Sequence, residues 1–400
     1  MTKLFSLKGT VQHYVWGGTK YIPKLLGIKE SSKKYAEYWL GAHVNAPSVI
    51  RTLNGDKELN VYLNSNLSKN LGVDIASKFG RLPFLFKVLD VQDMLSIQVH
   101  PSKFEAEKGF KYENGLGIPL NASNRNYKDD NHKPEIMVAL SEFWLLHGFL
   151  SKNILSQILN NTPEFIGLLS VFEEEGYYSL YKKVMEQSNE ESNQMLTPLV
   201  NRIMPLYLRG ELDKSSPDYW AAKAVDLAID KTTIDKGIYS IYFFNIVKVN
   251  KGEAVFQDAG VPHAYLEGQN MELMANSDNV LRGGLTPKHV DVPELLKHVT
   301  FEQTIPEIMP GALQEDGVER IYSTSAPDFE LSQIELTVSS KYKTKAKTAQ
   351  IMIVIEGTAT IVEGDTVLNL AKGESAFLAA GSEYYISSPS SGIIYKATAP

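Results

Sequence analysis

Three short motifs in this 400-residue sequence carry side chains that can bind a metal ion. Gln98 and His100 are two residues apart in an alternating segment, so in a strand both side chains point to the same face. Glu135 directly precedes an apolar segment, and His263 follows a Gly-Val-Pro turn. Each motif alone is also typical of a polar strand face or an ordinary turn. Together, the two imidazoles, the carboxylate and the amide oxygen suit Zn²⁺, and Mn²⁺, Fe²⁺ or Co²⁺ would also fit.

A second set of reactive side chains falls between Met271 and Lys288. Arg282 stands before two glycines, which predicts a guanidinium in a loop where the backbone can approach a ligand closely. Glu272 and Asp278 are acid–base candidates, and Lys288 is a second cation. A solvated polar loop would have the same composition, so the segment alone does not establish a site.

Composition excludes several classes of site and partner. The chain has no cysteine, which rules out disulfides, thiolate catalysis and thiolate metal ligands. A net charge of −7 without a basic block disfavours nucleic acid and anionic membranes as partners. No apolar run approaches the roughly 18 residues of a membrane span, and no signal peptide is apparent, so a cytoplasmic location is expected. The remaining histidines lack a ligand-like neighbour in sequence and are expected on the surface or in the core: His13, His43, His147, His289 and His298.

Strands are predicted on both sides of a helical segment. The first 150 residues mainly indicate strands and turns, with the clearest alternation around Gln98. Residues 152–235 are predicted to be helical, because Thr162-Pro163 and Ser216-Pro217 each place a capping residue before a proline. Strands are predicted again from Ile238, with hairpin turns at Glu356-Gly357 and at Glu363-Gly364-Asp365.

The sequence also repeats itself. Lys251–Gly260 aligns with Lys372–Gly381 at an offset of 121 residues, with six of the ten positions identical. At this offset His263 corresponds to Tyr384, so the second copy lacks the histidine donor. A strand–turn–strand unit that ends in Gly-x-Pro-His resembles the second half-motif of cupin β-barrels.

Taken together, the motifs resemble those of the type I mannose-6-phosphate isomerases, which are zinc-dependent cupin enzymes. The resemblance lies on both sides of the helical segment, in the same order, and weakens to architecture alone in the last 80 residues. The segments that carry it are Tyr14–Gly18, Tyr35–His43, Ala46–Ser48, Leu82–Leu89, Leu95–Pro101, Asn131–Glu135, Gly260–Tyr265 and Asn276–Lys288.

The resemblance implies a mainly β, bicupin-like double β-barrel (jelly roll) with an inserted helical domain. The expected domains are a metal-binding barrel from 1–151 and 236–318, a helical insertion over 152–235, and a metal-free C-terminal barrel over 319–400. Every expected metal ligand lies outside 152–235, so the insertion is expected to be dispensable for metal binding.

The resemblance also assigns roles to residues. It implies one zinc ion per chain on Gln98, His100, Glu135 and His263. It makes Arg282 the active-site arginine, with Lys133 and Lys288 beside it. Ser96 and Lys87 would line the sugar-phosphate pocket, with Ser96 near the phosphate. The general base stays open among Lys133, Glu272 and Asp278.

The expected reaction is the reversible interconversion of mannose 6-phosphate and fructose 6-phosphate through a cis-enediolate. Isomerisation of another hexose 6-phosphate is the nearest alternative, since one epimeric hydroxyl separates the substrates. A non-catalytic sugar-binding cupin and an iron-dependent cupin dioxygenase are the alternatives from other classes. The expected partner is a small sugar phosphate, and the sequence leaves a monomer or a homodimer open.

Overall fold

The computed structural model describes residues 2–400, and its strands form two sheets in which every pairing is antiparallel. The first sheet has ten strands; it contains three of the predicted metal ligands, and the fourth, His100, directly follows β7. Its strands are β2 (Thr10–Gln12), β3 (Glu37–Gly41), β6 (Phe84–Val91), β7 (Gln98–Val99), β8 (Glu135–Ala139), β9 (Phe143–Phe149), β10 (Phe244–Val249), β11 (Ala254–Gln257), β12 (His263–Ala275) and β13 (Leu281–Arg282).

The second sheet has twelve strands and recruits three of them from the N-terminal part of the chain. β1 pairs with β20, so the start of the chain lies in the sheet of the C-terminal barrel. The strands are β1 (Leu4–Lys8), β4 (Val49–Thr52), β5 (Gly55–Glu58), β14 (Ala312–Leu313), β15 (Glu319–Tyr322), β16 (Glu330–Leu336), β17 (Lys341–Lys345), β18 (Gln350–Glu363), β19 (Thr366–Ala371), β20 (Ser375–Leu378), β21 (Glu383–Ser387) and β22 (Gly392–Thr398).

The helices are concentrated in the predicted helical segment but also occur outside it. The first 150 residues hold five helices that the prediction of strands and turns missed. The helices are α1 (Tyr21–Leu25), α2 (Leu59–Asn64), α3 (Leu67–Leu71), α4 (Val73–Phe79), α5 (Lys103–Gly115), α6 (Lys152–Asn161), α7 (Ile166–Met185), α8 (Asn189–Leu208), α9 (Pro217–Leu227), α10 (Gly237–Phe243) and α11 (Val292–His298), with a 3-10 turn at Pro163–Phe165. Among residues 2–400, none of these helices has the length and apolar character needed to cross a bilayer.

Two local predictions were wrong. The strand expected from Ile238 begins only at Phe244, because residues 237–243 form α10, whose seven residues are all buried. Glu356-Gly357 is not a hairpin turn but lies inside the long strand β18, beside a register shift where β18 pairs with β22. The turn after Glu363 does connect β18 to β19, as predicted.

The helical segment shares a hydrophobic core with the strands that carry the site. Ile97, Val99 and Leu281 are fully buried among helix residues such as Tyr181 and Val184. Because side chains alternate along a strand, Gln98 and His100 face the opposite side of β7 from Ile97 and Val99. The helices therefore support the back of the ligand-bearing strand, which argues against the expectation that metal binding does not need them.

The internal repeat is a repeat of structure as well as of sequence. Gly260 donates its N–H to the His100 carbonyl, and Gly381 donates its N–H to the Ala346 carbonyl. Both glycines have a positive φ, 81° and 74°, which a side chain would strain. Ala346 therefore occupies the place in the second barrel that His100 occupies in the first.

Sheet register extends the correspondence to the other ligands. Gln257 pairs with Glu135 in the first barrel, and its counterpart Leu378 pairs with Gln350 in the second. Gln98 pairs with His263 in the first barrel, and Thr344 pairs with Tyr384 in the second. Thr344 therefore corresponds to Gln98. The four predicted metal donors thus correspond to Thr344, Ala346, Gln350 and Tyr384. The Tyr384 hydroxyl donates a 2.6 Å hydrogen bond to the Gln350 side-chain oxygen, which directly joins the positions equivalent to His263 and Glu135.

The shared core predicts that a small cavity behind β7 weakens metal binding. Val99→Ala is expected to lower the free energy of unfolding by about 1–3 kcal/mol, and to reduce zinc affinity because β7 can shift. Val184→Ala is the matched control, since Val184 is equally buried in the same core but lies on α7. It is expected to cost similar stability with zinc affinity unchanged. Equal zinc affinities for both variants, measured by competition with a chelator, would contradict the role assigned to the back of β7.

Candidate metal and active site

Three of the four predicted metal donors converge inside the first barrel. His100 Nε2 lies 3.4 Å from Glu135 Oε1, and His263 Nε2 lies 3.4 Å from Glu135 Oε2. One ligand atom from each residue lies within 4.8 Å of the others, and all three residues are buried. This cluster brings together a residue that directly follows β7 with residues of β8 and β12, in an arrangement that suits a single divalent cation.

Backbone carbonyls fix which nitrogen each histidine presents. His100 Nδ1 lies 3.0 Å from the Asn279 carbonyl, and His263 Nδ1 lies 2.9 Å from the Val261 carbonyl. A carbonyl only accepts, so each Nδ1 carries the proton and each Nε2 keeps its lone pair. His100 Nε2 is buried without a hydrogen-bond partner. Its free lone pair, directed at a carboxylate, fits a metal ion in this cluster.

Electrostatics keep these donors in the protonation state that binds a cation. Burial, reinforced by the Lys133 charge, lowers the pKa of His100 to about 4, so the ring is neutral at pH 7. Burial alone would raise the pKa of Glu135, but Lys133 and His100 outweigh it and hold that pKa well below its usual range. The Lys133 ammonium lies 3.0 Å from Glu135 Oε1, so it neighbours the metal cluster directly.

The fourth predicted donor and the predicted arginine lie side by side in the sheet. β7 runs between β12 and β13, with Gln98 opposite His263 on one side and opposite Arg282 on the other. Directly paired residues place their side chains on the same face of a sheet. Gln98 is thus placed next to the histidine ligand, and Arg282 is one strand farther from it.

Arg282 is a half-buried cation without a carboxylate partner among residues 2–400. Burial lowers its pKa, and no ion pair offsets that cost. Arg282 also lowers the pKa values of Lys128 and Lys288, for which burial is the larger cause, so the three cations share one region. A group of neighbouring cations of this kind is suited to a bound anion.

The two glycines after Arg282 let the backbone come close to the helical segment. A Cβ atom on Gly283 would lie 2.9 Å from the Tyr181 hydroxyl, and one on Gly284 would lie 2.6 Å from the Gly237 backbone. The loop thus closely approaches α7 and α10, and the approach to a ligand stays a prediction. These contacts press the Arg282 loop against the helical segment.

Lys87 and Glu272 form an ion pair deep in the barrel. Lys87 Nζ lies 2.8 Å from Glu272 and 3.6 Å from Glu37, and all three residues are buried. The carboxylates outweigh burial and raise the pKa of Lys87, so the lysine stays charged. Glu272 is thus paired with a cation. The predicted phosphate-binding residue Ser96, two residues before Gln98, is half-buried beside the site.

A network of buried hydrogen bonds joins the two loops that flank the site. The Asn279 side chain donates to the carbonyls of Asp129 and Asn131, and accepts from the Lys128 and Asp129 N–H groups. The Asp129 carboxylate accepts from Ser277 Oγ and from the Asp278 N–H. These bonds join the segment that leads to Glu135 with the segment that leads to Arg282.

The contacts of three histidines in or near this region were not indicated by the sequence. His43 and His147 were expected on the surface or in the core, and both are buried. His43 Nε2 lies 3.3 Å from Asp278 Oδ2. His147 is buried and pairs with His263 in the sheet; burial lowers its pKa to about 3. His132 Nε2 lies 2.7 Å from Asp328, a buried residue before β16 of the second barrel. Their partners lie far away along the chain, so no local spacing could have indicated them.

Comparison with known proteins agrees with this geometry. Residues 4–152 match the model of the phosphomannose isomerase type I catalytic domain, and residues 319–393 match that of the mannose-6-phosphate isomerase cupin domain. The chain is 37% identical to the mannose-6-phosphate isomerase of Escherichia coli and 32% identical to that of Homo sapiens, each over 94% of both chains.

Solved structures give the same result. A crystal structure of mannose 6-phosphate isomerase from Salmonella typhimurium, described as bound to the substrate fructose 6-phosphate and to zinc, is 34% identical, with a TM-score of 0.88 and full coverage of both chains. A zinc-bound structure of mannose 6-phosphate isomerase also superposes with a TM-score of 0.88. Sequence identity above 30% over nearly the whole length leads to one conclusion: the chain belongs to the type I phosphomannose isomerase family.

Proposed function

We propose that this protein interconverts mannose 6-phosphate and fructose 6-phosphate with one zinc ion bound to Gln98, His100, Glu135 and His263. The proposal rests on one observation, that two features lie close together in the first barrel. Three metal donors converge around the free Nε2 of His100, and an unpaired Arg282 stands beside them across β7. A metal-binding cluster and an unneutralised cation in one barrel suit a substrate that develops an oxyanion and carries a phosphate.

The zinc ion, when bound, would supply Lewis acidity and orient the site. The protein residues have separate tasks. Lys133 is paired with Glu135 and Lys87 with Glu272 and Glu37, so these lysines offset part of the negative charge that the buried carboxylates place around the metal cluster. Arg282 is proposed to stabilise the oxyanion, and Lys288 with Ser96 is proposed to hold the phosphate.

Asp278 is the strongest of the three candidate bases. Glu272 is tied to Lys87 at 2.8 Å, and Lys133 is tied to Glu135 at 3.0 Å. Asp278, with 45% of its side chain exposed, is open to a substrate. Burial would raise its pKa, but the His43 hydrogen bond and the nearby lysines lower it, so the group is a carboxylate at pH 7.

In the proposed reaction Asp278 carries a proton from C2 to C1 of the open-chain sugar. In the open-chain aldose the C2–H bond breaks, its proton goes to Asp278, and the electron pair forms the C1–C2 double bond while O1 becomes the oxyanion. The O2 proton moves to O1, and Asp278 returns its proton to C1, which leaves the ketone at C2. Arg282 is placed to stabilise the negative charge on these oxygens.

A coupled assay of zinc-loaded protein with mannose 6-phosphate and glucose 6-phosphate in parallel tests the function. We expect formation of fructose 6-phosphate from mannose 6-phosphate, with much slower turnover of glucose 6-phosphate. Preferred turnover of glucose 6-phosphate would assign the other epimer. Binding of sugar phosphate without turnover of either would leave a sugar-binding protein in place of the enzyme.

The donor set predicts which tyrosine and histidine changes affect metal content. His263→Ala removes one of four donors and is expected to leave almost no zinc after dialysis against a weak chelator. The matched change in the second barrel, Tyr384→Ala, is expected to leave one zinc per chain and to lower only the stability, because Gln350 loses its partner. Elemental analysis distinguishes the two outcomes. Zinc retained by His263→Ala, or two zinc ions in the wild type, would refute the single site.

The unpaired guanidinium predicts a specific kinetic defect. Arg282→Lys keeps the charge but loses the planar fork, so kcat is expected to fall by about 10²–10³ while zinc content stays at one per chain. Arg209→Lys, at an exposed arginine that pairs only with Glu211, is the control and should leave kcat unchanged. A near-normal kcat for Arg282→Lys would place this arginine outside the reaction.

A further inference from the structure

His43 is a buried histidine whose contact with Asp278 neither the metal cluster nor the phosphate region explains. It lies in the turn after β3, is only 6% exposed, and its Nε2 is 3.3 Å from Asp278 Oδ2. Its ring packs edge-on against Trp39 at a centroid distance of 5.0 Å. Trp39 in turn donates its indole N–H to Glu37, the carboxylate beside Lys87. The imidazole is therefore held between the interior ion pairs and an exposed carboxylate.

The backbone decides the tautomer of this imidazole. The Asn45 N–H donates to His43 Nδ1 at 3.3 Å, so Nδ1 is the acceptor and the ring proton resides on Nε2. A neutral His43 thus directs an N–H donor at Asp278 Oδ2. This is the reverse of His100 and His263, whose Nδ1 atoms donate to carbonyls and whose Nε2 atoms keep a lone pair directed at Glu135.

Asp278 is held at two points. Its backbone N–H donates to Asp129 Oδ2 at 2.7 Å, and its Oδ2 lies 3.3 Å from His43 Nε2. Among residues 2–400, Oδ1 of Asp278 has no hydrogen-bond partner. The titratable and charged groups that surround this carboxylate are Tyr14 after β2, His43 after β3, Lys87 on β6, and Lys128, Asp129 and Lys133 on the loop before β8.

We propose that His43 is a positioning residue for the isomerisation: its Nε2–H fixes Asp278 Oδ2, so that Oδ1 is the oxygen that exchanges the proton with the sugar. The proposal rests on the proposed function and deepens it. Because the bond also stabilises the carboxylate, its loss is expected to raise the pKa of Asp278 and to make the base harder to keep ionised at low pH.

Two variants at one position separate positioning from packing. His43→Leu removes the donor, and we expect kcat to fall roughly 10- to 100-fold, with KM within about twofold and zinc content unchanged. The acid limb of the pH profile of kcat should move to higher pH. His43→Gln can place an amide N–H near the position of Nε2, so it should restore most of kcat and return the acid limb towards the wild-type position.

A second buried histidine provides the matched control. His298 Nε2 also lies 3.3 Å from a carboxylate oxygen, that of Glu294, but away from the cluster. His298→Leu is expected to lower stability without moving the pH profile. Unchanged kcat and pH profile in His43→Leu, or no recovery in His43→Gln, would overturn the positioning role.

The tautomer of His43 can be measured without an activity assay. Imidazole ¹⁵N NMR of the wild-type protein should show His43 protonated on Nε2 and unprotonated on Nδ1, and the opposite tautomer would overturn the proposal even if His43→Leu failed to fold. The proposed function fails separately: a wild-type protein that does not convert mannose 6-phosphate removes both proposals, whereas an active wild type with an unaffected His43→Leu removes only this one.

Discussion

The metal site depends on two backbone carbonyls. By accepting from Nδ1 of His100 and His263, Asn279 and Val261 turn both Nε2 atoms towards Glu135, so the metal-binding cluster is assembled by main-chain atoms as much as by the ligands themselves. Asn279 is fully buried and its side chain ties down the loop that precedes Glu135. Asn279 thus orients one predicted ligand, His100, and holds the loop that leads to another, Glu135. This double role explains why buried hydrogen bonds, rather than an apolar core, occupy this place.

The second barrel repeats the architecture of the first barrel with different side chains. It keeps the turn, the positive-φ glycines and the strand register of the first barrel, yet the four positions equivalent to the predicted metal donors carry Thr344, Ala346, Gln350 and Tyr384. Here the Tyr384–Gln350 hydrogen bond satisfies two buried polar groups directly. The two barrels therefore share an architecture and differ in the side chains at these four positions.

Sequence patterns predicted the parts of this molecule that are local. Alternation around Gln98 placed two donors on one face of β7, and the repeat at offset 121 matched two turns that the structure also matches. Contacts between residues far apart in the chain could not be predicted. His43 was assigned to the surface or core because no ligand-like residue lies near it in sequence, and α10 was taken for a strand because a fully buried helix has no polar face. The motifs together suggested the ligand set and the family resemblance implied the same set, whereas the tautomers and the partners of each side chain required the fold.

The proposed function depends on one zinc ion held by the Nε2 atoms of two histidines in the first barrel. Anomalous diffraction at the zinc edge from crystals of the zinc-loaded protein tests this most directly. We expect a single peak per chain, about 2.0–2.2 Å from His100 Nε2, His263 Nε2 and a Glu135 oxygen, with Gln98 in the sphere. A peak bonded to an Nδ1 atom, a peak between Tyr384 and Gln350, or no peak among these ligands would contradict the account.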